Sequence, residues 1–132
     1  MCYLGTHDTH TPAHKDLCGS VGHNLMADTS EDGSSFWFMT KTSDIDAAVE
    51  YLQSLGYELD HENHALTLEQ LSLAPFDVFV GEQRKGDMML VPPRSMHQVV
   101  NQGGITLKVS WSRMTPKSLE IAINEELHIY RR

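Results

Sequence analysis

The sequence has no surplus of basic residues. It carries 10 Lys and Arg against 18 Asp and Glu, which gives a formal net charge of -8 at pH 7. Proteins that follow a nucleic-acid backbone need a basic stripe, so we expect no direct nucleic-acid binding. The acidic charge keeps the chain soluble, and it would also steer a basic protein or peptide towards it.

Long apolar segments and cysteines are also scarce. No apolar run approaches the roughly 20 residues that cross a bilayer, and no secretory signal precedes the two cysteines, Cys2 and Cys18. We therefore expect no membrane association, free thiols, and an intracellular location in the nucleus or cytoplasm. Because no repeat or linker divides residues 1–132, they are predicted to form a single domain.

The hydrophobic pattern predicts a mainly β fold. Helices are predicted from Ser43 to Gly56, from Thr67 to Ala74 and after Thr115, and a loop is predicted at 28–35. Trp37 and Trp111 are assigned to the core. Short strands are predicted at 2–5, 35–40, 76–80, 87–91, 96–101 and 105–111. This order favours a cupin-like jelly roll, a double-stranded β-helix, with two or three flanking α-helices.

Histidines are frequent, eight in all, and one of them heads a candidate metal site. On an extended strand His14 and Asp16 point to the same face, while Lys15 points away. An imidazole and a carboxylate are two thirds of the triad that holds Fe(II) in non-haem oxygenases. His97, which opens an apolar strand after a stiff Pro-rich turn, is the best third ligand. Taken alone, the His-x-Asp pair is better explained as two unrelated surface residues.

Neighbouring segments give the pair more weight, because together they resemble the Jumonji-C (JmjC) domain family, and fungal members most of all. The matching segments are Thr11-Pro12-Ala13-His14-Lys15-Asp16, Asn24, Phe36-Trp37-Phe38, Gly86-Asp87, the run from Leu90 to Asn101, and Gly103-Gly104-Ile105-Thr106 with Trp111. Family members usually have strands before the barrel, so the resemblance implies a fragment or a minimal version.

The resemblance implies an Fe(II)- and 2-oxoglutarate-dependent dioxygenase with iron on His14, Asp16 and His97. Thr11 and Asn24 would contact the 2-oxoglutarate co-substrate, and no catalytic residue is needed beyond the metal triad. The implied substrate is a protein or peptide, such as a histone. The implied reaction is side-chain hydroxylation or N-methyl-lysine demethylation.

One position departs from the family pattern. Most members place a Lys two residues before the tryptophan of the aromatic strand, where it pairs with the far carboxylate of 2-oxoglutarate; here the residue is Ser35. Lys108 on the closing strand is a candidate substitute, although it could equally be a solvated strand residue, and Arg94 is a second cation to consider. If neither reaches the pocket, the chain is a catalytically degenerate, cupin-like binding protein. A metal-dependent cupin enzyme that does not use 2-oxoglutarate is a third reading.

Overall fold

The computed structural model describes residues 1–127, which form two four-stranded antiparallel sheets. One sheet has the order β1-β8-β3-β6 and the other the order β2-β7-β4-β5. The strands are β1 Cys2–Gly5, β2 His10–His14, β3 Val21–Thr29, β4 Ser34–Met39, β5 Phe79–Gln83, β6 Met88–Val91, β7 His97–Gln102 and β8 Thr106–Arg113. Apart from β4 and β5, strands that follow one another along the chain lie in opposite sheets. The predicted jelly roll is therefore confirmed.

Within the described part of the chain, three α-helices flank the sheets. They are α1 Ile45–Ser54, α2 Leu68–Ser72 and α3 Pro116–Ile121, and α3 continues into a π-helical turn, Ala122–Glu126. Short 3₁₀ turns span Leu17–Gly19, Thr42–Asp44 and Leu59–His61. No helix within residues 1–127 combines the length and the apolar character needed to span a membrane. The predicted domain, residues 1–132, reaches beyond the described range.

The apolar core has two parts. Between the sheets, Trp37, Val91 and Val99 form one buried cluster. A larger cluster packs α1 and the segments after it against β2 and β4 of the second sheet; its buried members are Ala13, Ile45, Ala48, Leu52, Leu59, Leu66, Leu71 and Met96. Helices α1 and α2 thus cover the outer face of the sheet that carries β2 and β7, while a cavity lies between the two sheets.

The helix boundaries follow the predicted signals with one exception. Thr67 caps α2 through a capping box with Gln70, and Thr115 caps α3 with Pro116 in its first turn. The chain leaves α1 at Gly56, which has a φ of +86° that a side chain would disfavour. Ser43 does not cap α1, because Thr42–Asp44 form a 3₁₀ turn that makes Asp44 the N-cap residue.

Strand β3 is the main element that the sequence pattern does not predict. It contains Gly22, His23 and Asn24, which have low strand propensity, and it runs to Thr29, so the predicted loop at 28–35 is wrong at both ends. The strand predicted at 76–80 lies instead at Phe79–Gln83. Trp37 is buried as predicted, whereas Trp111 is 45 % exposed and stacks on His23.

Leu52 provides a test of the packing of α1. Its side chain is fully buried in the larger cluster, so Leu52→Ala should reduce the free energy of unfolding by about 2–5 kcal/mol through lost burial and the resulting cavity. Leu68 lies on α2 and is 71 % exposed, so Leu68→Ala should change stability by less than about 0.5 kcal/mol. Urea denaturation of both variants measures the difference, and equal losses would contradict the described packing.

Candidate metal centre

Strand register places two histidine side chains next to each other. His14 ends β2 and His97 begins β7, and the two residues are paired across the antiparallel ladder with ring centroids 4.2 Å apart. Nδ1 of His14 lies 2.9 Å from the carbonyl oxygen of Pro12, and Nδ1 of His97 lies 3.0 Å from that of Ser95. A carbonyl only accepts, so both Nδ1 atoms carry the proton and both Nε2 atoms keep a lone pair for a metal.

Asp16 completes the group from outside the sheet. Because β2 ends at His14, the prediction that His14 and Asp16 share one strand is wrong. Asp16 instead precedes the turn Leu17–Gly19 in an extended conformation, with φ -62° and ψ 139°. Its carboxylate still reaches the histidines, and the ligand atoms of all three residues lie within 4.8 Å of one another. The structure therefore brings together the three residues predicted as metal ligands.

Gly22 on β3 makes room for the Asp16 carboxylate. A Cβ atom at this position would collide with Oδ2 of Asp16 and would lie 3.1 Å from Cβ of Val91. A residue with a side chain would therefore push the carboxylate away from the histidines. Sequence reasoning missed Gly22, because a glycine inside an unpredicted strand gives no sign of what approaches it.

Burial shifts the pKa values of His97 and Asp16 in ways that suit a metal. Burial, together with His14, lowers the pKa of His97 to about 4, so its ring is neutral at physiological pH. Burial raises the pKa of Asp16, His14 opposes this rise and Glu62 adds to it. A partly desolvated carboxylate and a buried neutral imidazole belong to a donor set that a divalent cation stabilises. Two histidines and one carboxylate with open positions are the set that suits non-haem iron.

A cavity of about 220 Å³ adjoins the three ligands between the sheets. The predicted co-substrate residues Thr11, Asn24 and Lys108 all line it, but Arg94 does not. The whole lining comprises Tyr3, Leu4, Gly5, Thr9, His10, Thr11, His14, Asp16, Gly22, His23, Asn24, Trp37, Val91, His97, Val99, Asn101, Lys108 and Ser110. The cavity therefore joins the candidate metal ligands to a buried cation.

Lys108 reaches this cavity from β8 and is held there by Asn101 of the opposite sheet. Its Nζ donates to Oδ1 of Asn101 at 2.6 Å, and the same oxygen accepts a hydrogen bond from the Ser35 hydroxyl at 2.7 Å. No carboxylate within residues 1–127 pairs with Lys108, and burial lowers its pKa to about 8. Ser35, at the position where the family has Lys, thus belongs to the hydrogen-bond network that supports Lys108.

A second buried network fixes the wall beside His97. The Trp37 ring stacks on the imidazole of His97 at 5.9 Å, and its Nε1 donates to Oε1 of Gln83 at 2.8 Å. Nε2 of Gln83 in turn donates to the backbone oxygen of Asn24 at 2.8 Å. Gln83 and Asn101 were missed from the sequence, because an inward-facing amide on a strand looks like any polar strand residue.

Substituting Gly22 tests the close approach of Asp16. We expect Gly22→Ala to weaken divalent metal binding about tenfold or more, because the new Cβ displaces the carboxylate. Gly81 on β5 is the matched control, since a Cβ there meets only Cε of Met89, at 3.5 Å. Calorimetric titration of each metal-free protein with Co²⁺ gives the affinities. Equal affinity in Gly22→Ala and Gly81→Ala would contradict the assigned role of Asp16.

Comparison with known proteins agrees with this geometry. A family model described as "JmjC domain, hydroxylase" matches residues 1–112. The chain is also 39 % identical over 133 residues to C-module-binding factor A of Dictyostelium discoideum. The match covers 100 % of this chain but only 13 % of that relative, so the chain spans a small part of the relative's length. The relative is not fungal, and the likeness to fungal members stays a prediction. The chain belongs to the JmjC domain family.

Proposed function

We propose that this domain is an Fe(II)- and 2-oxoglutarate-dependent dioxygenase that acts on a protein side chain. The observation that carries the proposal is Lys108, a buried cation without a carboxylate partner within residues 1–127, in the same cavity as His14, Asp16 and His97. A buried charge without a counter-charge is costly, so the cavity favours an anionic occupant. A dicarboxylate would place one carboxylate against Lys108 and would bind the metal with its other end.

The candidate metal ligands, Trp37 and the predicted co-substrate residues each have a defined role in this proposal. His14, Asp16 and His97 would hold the iron, while Trp37 stacks on the His97 ring and the two backbone carbonyls keep both imidazoles oriented. Lys108 binds the far carboxylate of 2-oxoglutarate, and Thr11 and Asn24 offer polar atoms along its length. When bound, iron and 2-oxoglutarate supply the oxidation of a substrate C–H bond by O₂, with release of succinate and CO₂.

The size of the cavity favours a small co-substrate inside and a larger substrate outside. Its volume of about 220 Å³ is below the ~300–1,000 Å³ of pockets that bury a drug-sized ligand. An open groove of about 680 Å³ shares Tyr3, His14 and Asp16 with it, and Glu62 and Trp111 border this groove. Together with the net charge of -8, the groove suits a basic peptide such as a histone segment. Oxidation of a side-chain carbon would give a hydroxylated side chain. Oxidation of an N-methyl carbon would give N-demethylation.

The relative's name states that it binds a C-module, and this chain matches 13 % of that protein. We assign no nucleic-acid contact to the present residues, because a net charge of -8 opposes binding to a phosphate backbone.

A cupin-like binding protein is the second candidate, and Ser35 favours it. The residue at the family's Lys position only donates a hydrogen bond to Asn101, and Lys108 is itself bonded to that amide. If Asn101 keeps Lys108 from the ligand, the domain binds a metal without turnover.

Anaerobic titration of the iron-loaded protein with 2-oxoglutarate separates these two functions. The oxygenase gives a weak visible charge-transfer band that is absent from Asp16→Ala, followed by succinate formation when O₂ is admitted. A protein that binds iron but gives neither the band nor succinate would refute the proposal and favour the binding protein.

The role of Lys108 predicts a specific dependence on pH. Protonated Lys108 binds the dicarboxylate, so 2-oxoglutarate affinity should be highest below the pKa of about 8 and should fall as pH rises through it. Lys108→Met should raise the Kd for 2-oxoglutarate at least about thirtyfold at pH 7 and abolish this dependence. Lys85→Met removes an exposed lysine that pairs with Asp28 and should leave both unchanged.

The stability of the ligand-free protein provides an independent control. Folding lowers the pKa of Lys108 from 10.5 to about 8, so between these values the unfolded chain binds more protons than the folded one. The free energy of unfolding should therefore rise with pH over this window, and the rise should be absent from Lys108→Met. A rise of equal size in both proteins would show that Lys108 is not buried as described.

A further inference from the structure

Glu126, at the end of the π-helical turn, is a carboxylate buried at 2 % exposure. Its Oε1 accepts a hydrogen bond from Nε of Arg94 at 2.9 Å, and its Oε2 accepts one from Nζ of Lys15. Each oxygen thus has its own cation, which offsets the cost of removing the carboxylate from water. Two cations on one buried carboxylate make a rigid junction between three separate parts of the chain.

The two cations belong to the two segments that carry the candidate metal ligands. Lys15 stands between His14 and Asp16. Arg94 lies in the turn that leads into β7, three residues before His97, and adopts a φ of +61°. The same turn supplies the Ser95 carbonyl that fixes the His97 ring. Glu126 therefore contacts both ligand segments without lining the cavity.

We propose that Glu126 is a positioning residue that clamps the two metal-ligand segments to the C-terminal helix and holds the three ligands at their mutual distance. The inference rests on the metal site of the proposed function. It assigns a role to a residue that neither lines the cavity of the metal site nor belongs to the ligand set.

The contacts of Glu126 matter most for the position of Asp16. The β2–β7 ladder fixes the backbones of His14 and His97, but Asp16 lies beyond the end of β2, where no ladder hydrogen bond holds it. The neighbouring Lys15 is the anchor, with a side chain that is 13 % exposed and lies 3.5 Å from Asp60 in addition to its bond with Glu126. Single π-helical turns within α-helices are frequent at functional sites. Here the π-helical turn that continues α3 ends at Glu126.

Glu126→Gln tests the clamp, because it removes the charge while keeping the size of the side chain. Glu125 is exposed and adjacent, so Glu125→Gln is the matched control with the same change in net charge. Titration of the metal-free proteins with Co²⁺ should show an affinity about tenfold to a hundredfold lower in Glu126→Gln and unchanged in Glu125→Gln. The visible ligand-field spectrum of bound Co²⁺ should also change in Glu126→Gln, because the ligand geometry loosens. A purely structural role would lower the unfolding temperature and leave the affinity and spectrum of the folded protein as in the wild type.

Lys15→Met keeps the test decisive if Glu126→Gln does not fold, since it leaves the Arg94–Glu126 pair in place. It should weaken Co²⁺ binding in the same direction, with Lys85→Met as its control. Wild-type affinity and spectrum in Lys15→Met, and in any Glu126→Gln that folds, would overturn the clamp and leave the proposed function intact. A wild-type protein that binds Co²⁺ but not 2-oxoglutarate would refute the proposed function alone. A wild type that binds no Co²⁺ would refute both.

Discussion

The pairing of β2 with β7 is the constraint on which the candidate site depends. It sets His14 opposite His97 at the end of the ladder, where a ring nitrogen of each lies within 4.8 Å of the other and of an Asp16 carboxylate oxygen. A shift of register by one residue would turn one imidazole to the other face of the sheet, where the helices pack. The large apolar cluster beneath α1 includes Ala13 of β2 and Met96 before β7, so burial of the core and alignment of the ligands are parts of the same packing.

The cavity also surrounds the Lys108 ammonium with polar side chains from both sheets. Asn101 accepts hydrogen bonds from Ser35 of its own sheet and from Lys108 of the opposite sheet through the same oxygen, and its Nδ2 donates to Thr9 at 3.0 Å. A lysine at position 35 would enter the same space as the Lys108 ammonium, and two buried like charges repel strongly. Ser35 and Lys108 are therefore compatible, because together they give the cavity one buried cation instead of two.

Features with a local signal were predictable from the sequence, and features set by distant partners were not. The jelly-roll class, Thr67 and Thr115 as caps, and the gathering of His14, Asp16 and His97 followed from turn residues, spacing and the family resemblance. Strand β3 was missed because Gly22, His23 and Asn24 are poor strand formers, and each is placed by what it meets in three dimensions. Glu126 was missed for the same reason, since 111 residues separate it from Lys15 and nothing in its own helix marks it.

Two buried charges, Lys108 and Glu126, differ in how they are paired. On the cavity side, Lys108 lacks a carboxylate within the described residues, and its desolvation is relieved only by an anionic ligand or by loss of its proton. Glu126 does not line the cavity; it is fully paired by Arg94 and Lys15 and needs no ligand. A carboxylate saturated by protein cations is suited to rigidity, and a cation left unsaturated is suited to binding. The contrast follows from burial and pairing alone. Under the two proposals, it assigns ligand recognition to Lys108 between the sheets and the positioning of the candidate metal ligands to Glu126.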